Sequence, residues 1–303
     1  MTTPLLIRTI SDYHALRGLP KPKHPLISVI NFDDLRDTYE TGVQTLLFDY
    51  YSISIKRGMT HRYRYGQQDY DFNEGIMFFM APRQVLRIEV DEHHQTPSGW
   101  MLLIHPDFLW NTPLAGNIKK YEFFDYGVHE ALFLSEDEEL KINQIIENIR
   151  QEYHTNIDQF SQNIIVSQLE TLLNYADRFY RRQFITRNKA NHQVLEQLEK
   201  LLEEYFNNDA LISKGLPTVQ YISDQLHVSP TYLRSLLKML TGLNTQQLIH
   251  QKVIDKAKEK LSTTDLTVSE IAYDLGFEHP QSFNKFFKQK TSLTPMEFKQ
   301  QFS

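Results

Sequence analysis

The chain has 303 residues, no cysteine, and 38 Asp+Glu against 32 Lys+Arg, a formal net charge of −6. That length predicts about two domains, and the absence of thiols excludes disulfides and thiolate catalysis and suits a reducing cytoplasm. No basic segment followed by an apolar core opens the chain and no apolar run approaches ~18 residues, so neither a signal peptide nor a membrane partner is expected, and the expected location is cytoplasmic.

Residues 1–134 read as mostly strand. The runs at 44–56 (QTLLFDYYSISIK) and 75–90 (GIMFFMAPRQVLRIEV) are rich in β-branched and aromatic residues and bounded by Gly and Pro, and 99–105 makes a further short strand. Strands at this spacing predict a sandwich or small barrel. His61, His93 and His94 are the residues to weigh as metal ligands. None lies in a His-x-His pair, and neighbours on a strand point to opposite faces, so His93 and His94 do not converge on one ion. No metal site, no cofactor and no catalytic residue is therefore expected. Tyr50, Tyr63, Phe78 and Trp100 either line an internal cavity or fill the core, and alternation alone does not choose between the two.

Residues 135–185 are helical in character. Ser135 and Glu138 form a capping box, and Leu140, Ile145, Ile146 and Ile149 follow as an apolar stripe. Ile164, Ile165, Leu169, Leu172, Leu173, Ala176, Phe179 and Tyr180 make a second. These stripes either pair two copies of the chain as a homodimer or cover their own strands. The polar, basic run RRQFITRNK leads into a predicted linker at 186–192, between a first domain at 1–185 and a second at 193–303. Leu195, Leu198, Leu202 and Tyr205 mark the helix that opens the second.

From 218 onward the same helix pair is written twice. Val219, Ile222, Leu226 and Val228 recur as Val268, Ile271, Leu275 and Phe277 at an offset of 49; Pro230, Leu233, Leu236, Leu237 and Lys238 recur as Pro280, Phe283, Phe286, Phe287 and Lys288 at an offset of 50. Each copy, 218–240 and 267–290, reads as a short helix, a tight turn and a longer helix. Thr218 caps the first, Thr267 with Glu270 boxes the second, and Pro230 and Pro280 stand at helix starts, where an N–H is dispensable. Leu233, Leu236, Leu237 and Leu240 follow helical spacing on one buried face, which leaves Thr231, Arg234, Ser235 and Lys238 on the other. Phe283, Phe286 and Phe287 likewise leave Gln281, Asn284, Lys285 and Lys288 outward. Between the copies, Gln246 to Leu261, with apolar positions from Leu248 to Leu261, predicts a helix of roughly 24 Å. A strut of that length holds two recognition helices ~34 Å apart, one turn of duplex, so that both enter successive major grooves. The charge is divided accordingly: from Ala210 onward 11 Lys+Arg face 8 Asp+Glu, whereas the remainder has 21 against 30.

The stretch at about 195–302 resembles the DNA-binding domain of the AraC/XylS family of bacterial transcription regulators. The second copy carries the most specific part: IAYDLGF at 271–277, Phe283 with FFK at 286–288, Thr291, and Thr294-Pro295. The resemblance implies an α+β chain in which a cupin-like sensor barrel with following helices precedes a seven-helix domain, its helices starting near Ser229 and His279 reading DNA. Landmarks of the barrel are the turn from Gly75 to Pro82-Arg-Gln and the strand from Gly99-Trp100 to Pro106. The partners implied are double-stranded DNA, a small-molecule effector, RNA polymerase and a second copy of the chain; the sequence leaves open whether binding activates, as an activator of the family would, or represses. Arg234 is expected to pair with guanine O6 and N7, Gln281 with adenine, and Lys238 and Lys288 with phosphates. Two positions depart from the family pattern. Ser292 stands where glycine usually follows the recognition helix, a place Gly242 keeps in the first copy, and Asn244-Thr245 replaces a proline-containing start of the strut. The alternatives are a metal-dependent cupin enzyme with an accessory DNA-binding domain, which the missing His-x-His disfavours, and an architectural DNA-binding protein that takes no effector.

Overall fold

The computed structural model describes residues 4–35, 42–57, 75–90, 98–127, 130–155, 158, 160–186, 188–207, 211 and 215–301. His61, Tyr63, His93 and His94 lie outside the described residues. The chain divides into two compact units, Met1–Gln183 and Phe184–Ser303.

Among the described residues of the first unit, eight strands form two sheets. Strands β1 (Leu5–Ile7), β3 (Gly42–Phe48) and β6 (Val85–Val90) pair in the order β1-β3-β6. Strands β2 (Ile27–Asn31), β4 (Tyr51–Arg57), β5 (Ile76–Met80), β7 (Ser98–Ile104) and β8 (Leu132–Phe133) pair in the order β2-β7-β4-β5-β8. The two long apolar runs of the sequence each bend midway and continue in the other sheet, β3 into β4 and β5 into β6. The bends lie side by side. Arg83, with φ +65°, donates its backbone N–H to the Phe48 carbonyl at 2.6 Å and its Nε to Asp49 Oδ1 at 3.0 Å. Strands that switch sheets at such corners close a core between the two layers. Leu46 and Phe48 of one sheet and Ile30, Met80, Met101 and Leu103 of the other enclose it, together with Phe32, Tyr50 and, from α1 (Ile10–Leu16), Ile10 and Tyr13. Among the described residues the two sheets share no ladder.

The opposite face of the five-stranded sheet is covered by α3 (Glu136–His154) and α4 (Ser161–Thr186), which follow the short α2 (Pro113–Asn117). Phe79 packs its ring 4.4 Å from that of Phe123 and 6.1 Å from Tyr180 of α4, and Trp100 Nε1 donates to Asn143 Oδ1 of α3 at 2.8 Å. Of the aromatics weighed as cavity lining, Tyr50 and Phe78 therefore lie toward the inner core and Trp100 on the helix-covered side. The apolar stripes of α3 and α4 are buried within their own unit, in the way the covering alternative expected. Leu140 and Ile164, assigned to those stripes from the sequence, are 60% and 45% exposed. Leu140 is about 200° around the helix from the fully buried Ile142, at 100° per residue.

Seven helices of the second unit lie among the described residues: α5 (Asn188–Asn207), α6 (Val219–Leu226), α7 (Pro230–Thr241), α8 (Thr245–Thr263), α9 (Val268–Asp274), α10 (Pro280–Thr291) and α11 (Pro295–Lys299). Residues 188–192, expected as linker, are the first turn of α5. Asn191 is buried there and donates Nδ2 to the Phe184 carbonyl at 2.7 Å, a hydrogen bond that composition alone does not reveal.

Candidate nucleic-acid interface

The duplication extends to individual hydrogen bonds. Thr218 Oγ1 accepts from the N–H of Tyr221 at 3.1 Å, and Thr267 Oγ1 from that of Glu270 at 3.2 Å. Glu270 returns a bond to the Thr267 N–H at 2.7 Å. That N–H and the Thr267 hydroxyl hold its carboxyl below the usual range. The first helix of each copy then closes with the same reach back, Val228 N to Ser223 O and Phe277 N to Ala272 O, both at 3.0 Å. Such a close needs a left-handed residue just before it. Gly276 fills the place with φ +78° and His227 with φ +55°. Sequence reading missed His227; its signal was the glycine 49 positions later.

Proline at the first helical position starts α7 and α10, behind N-caps Ser229 and His279. Ser229 accepts from the Tyr232 N–H at 3.2 Å, whereas His279 makes no side-chain cap. Each of these two longer helices ends in a left-handed residue, Gly242 at φ +76° and Ser292 at φ +65°. The serine departure thus leaves the turn in place: Ser292 N donates to Lys288 O at 2.8 Å, as Gly242 N does to Lys238 O at 3.1 Å. At the start of the strut Asn244 serves as cap, bonding reciprocally with Gln247 at 2.9 Å in both directions.

Helix α8 joins the halves. Ile249 and Val253 complete one core with Ile222, Leu233 and Leu237; Ile254, Ala257 and Leu261 complete a second with Ile271, Phe283 and Phe287. Half-buried Phe277 and Phe286 touch both cores, their rings 5.6 Å apart, and His250 of α8 packs edge-on to Phe286 at 5.1 Å. Phe286, expected fully buried, sits at this junction. Nineteen residues make α8 about 28 Å long at 1.5 Å each. Lys260 Nζ adds an ion pair to Asp274 Oδ2 of α9 at 3.1 Å.

With Leu233, Leu236, Leu237, Phe283 and Phe287 fully buried, the opposite sides of α7 and α10 are turned out. Arg234 and Lys238 are exposed and Thr231 and Ser235 half-buried; Gln281, Asn284, Lys285 and Lys288 are all exposed. Each set therefore occupies one helix face, and no member is consumed by the core.

A family profile described as a helix-turn-helix domain matches residues 222–301. The chain is similar to histidine kinase P4 of Formosa agariphila, at 28% identity over 119 residues that make 39% of this chain and 8% of that protein. It is also similar to the uncharacterized transcriptional regulatory protein YesN of Bacillus subtilis, at 32% identity over 108 residues, 35% of this chain and 28% of that one. Among solved structures, the C-terminal domain of the two-component response regulator yesN from Fusobacterium nucleatum is similar at 30% identity and a TM-score of 0.32, covering 35% of this chain and 98% of that one. The chain spans under a third of the length of these two curated relatives.

Proposed function

We propose that the protein is a transcription regulator of the AraC type that binds specific duplex DNA through α7 and α10, a reading supported by the match of residues 222–301 to a helix-turn-helix domain. The observation that carries this reading is the sharing of one helix, α8, by the cores of both copies, each of which turns a polar and basic helix face outward. Two recognition helices tied to one strut suit successive major grooves on one side of a duplex. In this reading Arg234 reads guanine and Gln281 adenine. Lys238 and Lys288, in the last turns, hold phosphates, and Thr231, Ser235, Asn284 and Lys285 complete the two contact faces. The net-positive stretch from Ala210 onward favours that contact, and the acidic remainder limits non-specific attachment. A small effector held in the first unit, contact with RNA polymerase and pairing of two copies belong to the same proposal.

The test begins with genomic fragments selected by the full-length protein, followed by anisotropy titrations on the recovered sequence. Arg234→Ala is expected to cost about 1–3 kcal/mol and to relax preference at one base pair, whereas Lys288→Ala weakens all sequences alike and reduces the salt slope by about 1. Failure to recover any preferred sequence overturns the reading. Equal losses across sequences for both variants remove the base-reading role of Arg234.

A further inference from the structure

The helix-covered face of the five-stranded sheet carries a cavity beside its edge strand, β2. Ile27, the first residue of β2, pairs with Ile104 of β7 in the register that also opposes Asn31 and Trp100. Directly paired residues of an antiparallel ladder share a face, so Ile27 points with Trp100 to the side of α3 and α4, away from the core between the sheets. There Phe108 of the turn Pro106–Leu109, Tyr153 near the end of α3 and Ile165 at the start of α4 wall a cavity of about 290 Å³. That volume is close to the ~300 Å³ at which small-molecule pockets begin. The charged groups on the wall are Asp107 and Asp158; among the described residues no lysine or arginine lines it. Asp158 Oδ1 accepts the N–H groups of Phe160 at 2.8 Å and Ser161 at 3.1 Å, which leaves Oδ2 without a described partner. Asp107 Oδ2 lies 3.6 Å from His105 Nδ1. Lys23, adjacent in the chain, gives its ammonium to the His154 carbonyl at 3.3 Å.

Two donors complete the wall. His24 Nδ1 accepts the Leu26 N–H at 3.1 Å, which leaves the ring proton on Nε2, and burial holds its pKa below the usual range, so at neutral pH the ring adds no charge. Tyr153 is only 3% exposed; its oxygen accepts the Lys23 N–H at 2.8 Å, and no described acceptor takes its proton. A buried hydroxyl proton without an acceptor costs free energy that a ligand oxygen recovers, and two carboxylates with no cation beside them favour a ligand that brings positive charge. We propose that this cavity binds a small amino alcohol, its ammonium on Asp107 and Asp158, its oxygen on Tyr153 and its apolar body against Phe108 and Ile165. An anion meets two carboxylates and no cation there, and a neutral polyol leaves their charge uncompensated. The cavity lies outside the core between the sheets, and binding in it requires nothing of α7 and α10.

The experiment is calorimetric titration of the full-length protein with phenylalaninol, phenethylamine and pentylamine, each beside the neutral analogue in which a hydroxyl replaces the ammonium, and with glucose and phenylpropionate. Phenylalaninol is expected to bind tightest, and its neutral analogue about tenfold more weakly, since charge-assisted hydrogen bonds are the stronger ones. Asp158→Asn keeps an oxygen for the two N–H groups while removing the charge; it and Asp107→Asn should each weaken phenylalaninol by about fivefold, as suits partly exposed ion pairs. Tyr153→Phe should erase the advantage of phenylalaninol over phenethylamine. Equal binding of amine and neutral analogue, unchanged affinity in both aspartate variants, a phenylalaninol advantage that survives Tyr153→Phe, tighter binding of glucose or phenylpropionate, or no binding by any amine each overturns the proposal. DNA titrations without added amine test the regulator reading separately, whichever way these go.

Discussion

Ser292 and Gly242 do the same backbone task with different chemistry. A left-handed backbone costs a residue bearing a Cβ about 1–2 kcal/mol, and the extra unfolded freedom of glycine returns about half of that. Ser292→Gly should therefore stabilise the protein by about 0.5–1 kcal/mol in urea unfolding, and Gly242→Ser should lose a similar amount. No gain from the glycine would show that the serine conformation is already relaxed. Lys56 makes an opposite demand on stability. Burial, and then the like charge of Arg17, lower its folded pKa from the ordinary 10.5 to about 8, so the folded state binds this proton less well than the unfolded one. Stability from this group is therefore lowest below pH 8 and rises until pH passes 10.5, by about 3 kcal/mol in all. Subtracting the pH profile of Lys56→Met from that of the wild type should isolate the rise; parallel profiles would rule it out.

Whole elements are held by caps and turns more than by length, since α9 and α11 have only seven and five residues. Isolated helices that short are not stable in water, so packing and capping must hold them. The two copies differ in polarity at a buried position within that frame. Ser223 and its counterpart Ala272 are both fully buried, and the Ser223 hydroxyl has no hydrogen-bond partner. Ser223→Ala, which writes the second copy into the first, is expected to stabilise by about 1 kcal/mol through loss of an unsatisfied buried group. Gly276 has no such latitude. A Cβ there would lie 2.6 Å from the Leu211 carbonyl oxygen, on a backbone with φ +78°. Gly276→Ala should destabilise by more than about 1 kcal/mol, read as a lower urea midpoint.

On the scale of the whole chain, the two units carry unlike charge and separate cores. Leu236→Asp places a carboxylate in the fully buried face of α7 and should unfold the second unit. Scanning calorimetry of the full chain is expected to show two transitions in the wild type and to retain the one belonging to Met1–Gln183 in the variant. Loss of both would mean that the units fold as one. In the second unit α8 gives one flank to each core, so truncations along it act on different halves: Val253→Ala on the first, Ile254→Ala on the second.

The sequence by itself determined whatever repeats or follows a short period. The doubled helix pair, its proline starts, the Thr267–Glu270 box and the outward faces of α7 and α10 depend on contacts within a few residues, where helical spacing is a direct readout. The tertiary structure decided what depends on residues far apart in the chain. It turned Leu140 and Ile164 to solvent and drew residues 188–192 into α5. It put His227 in a left-handed turn and set Phe286 between two cores. Above all it enclosed Lys56 between the rings of Phe32 and Phe78 and beside Arg17, because pairing of β4 with β5 and β7 settles which way its side chain points. Alternation along a strand marks two faces but carries no label for which is inside; only the second sheet, packing against one of them, supplies it.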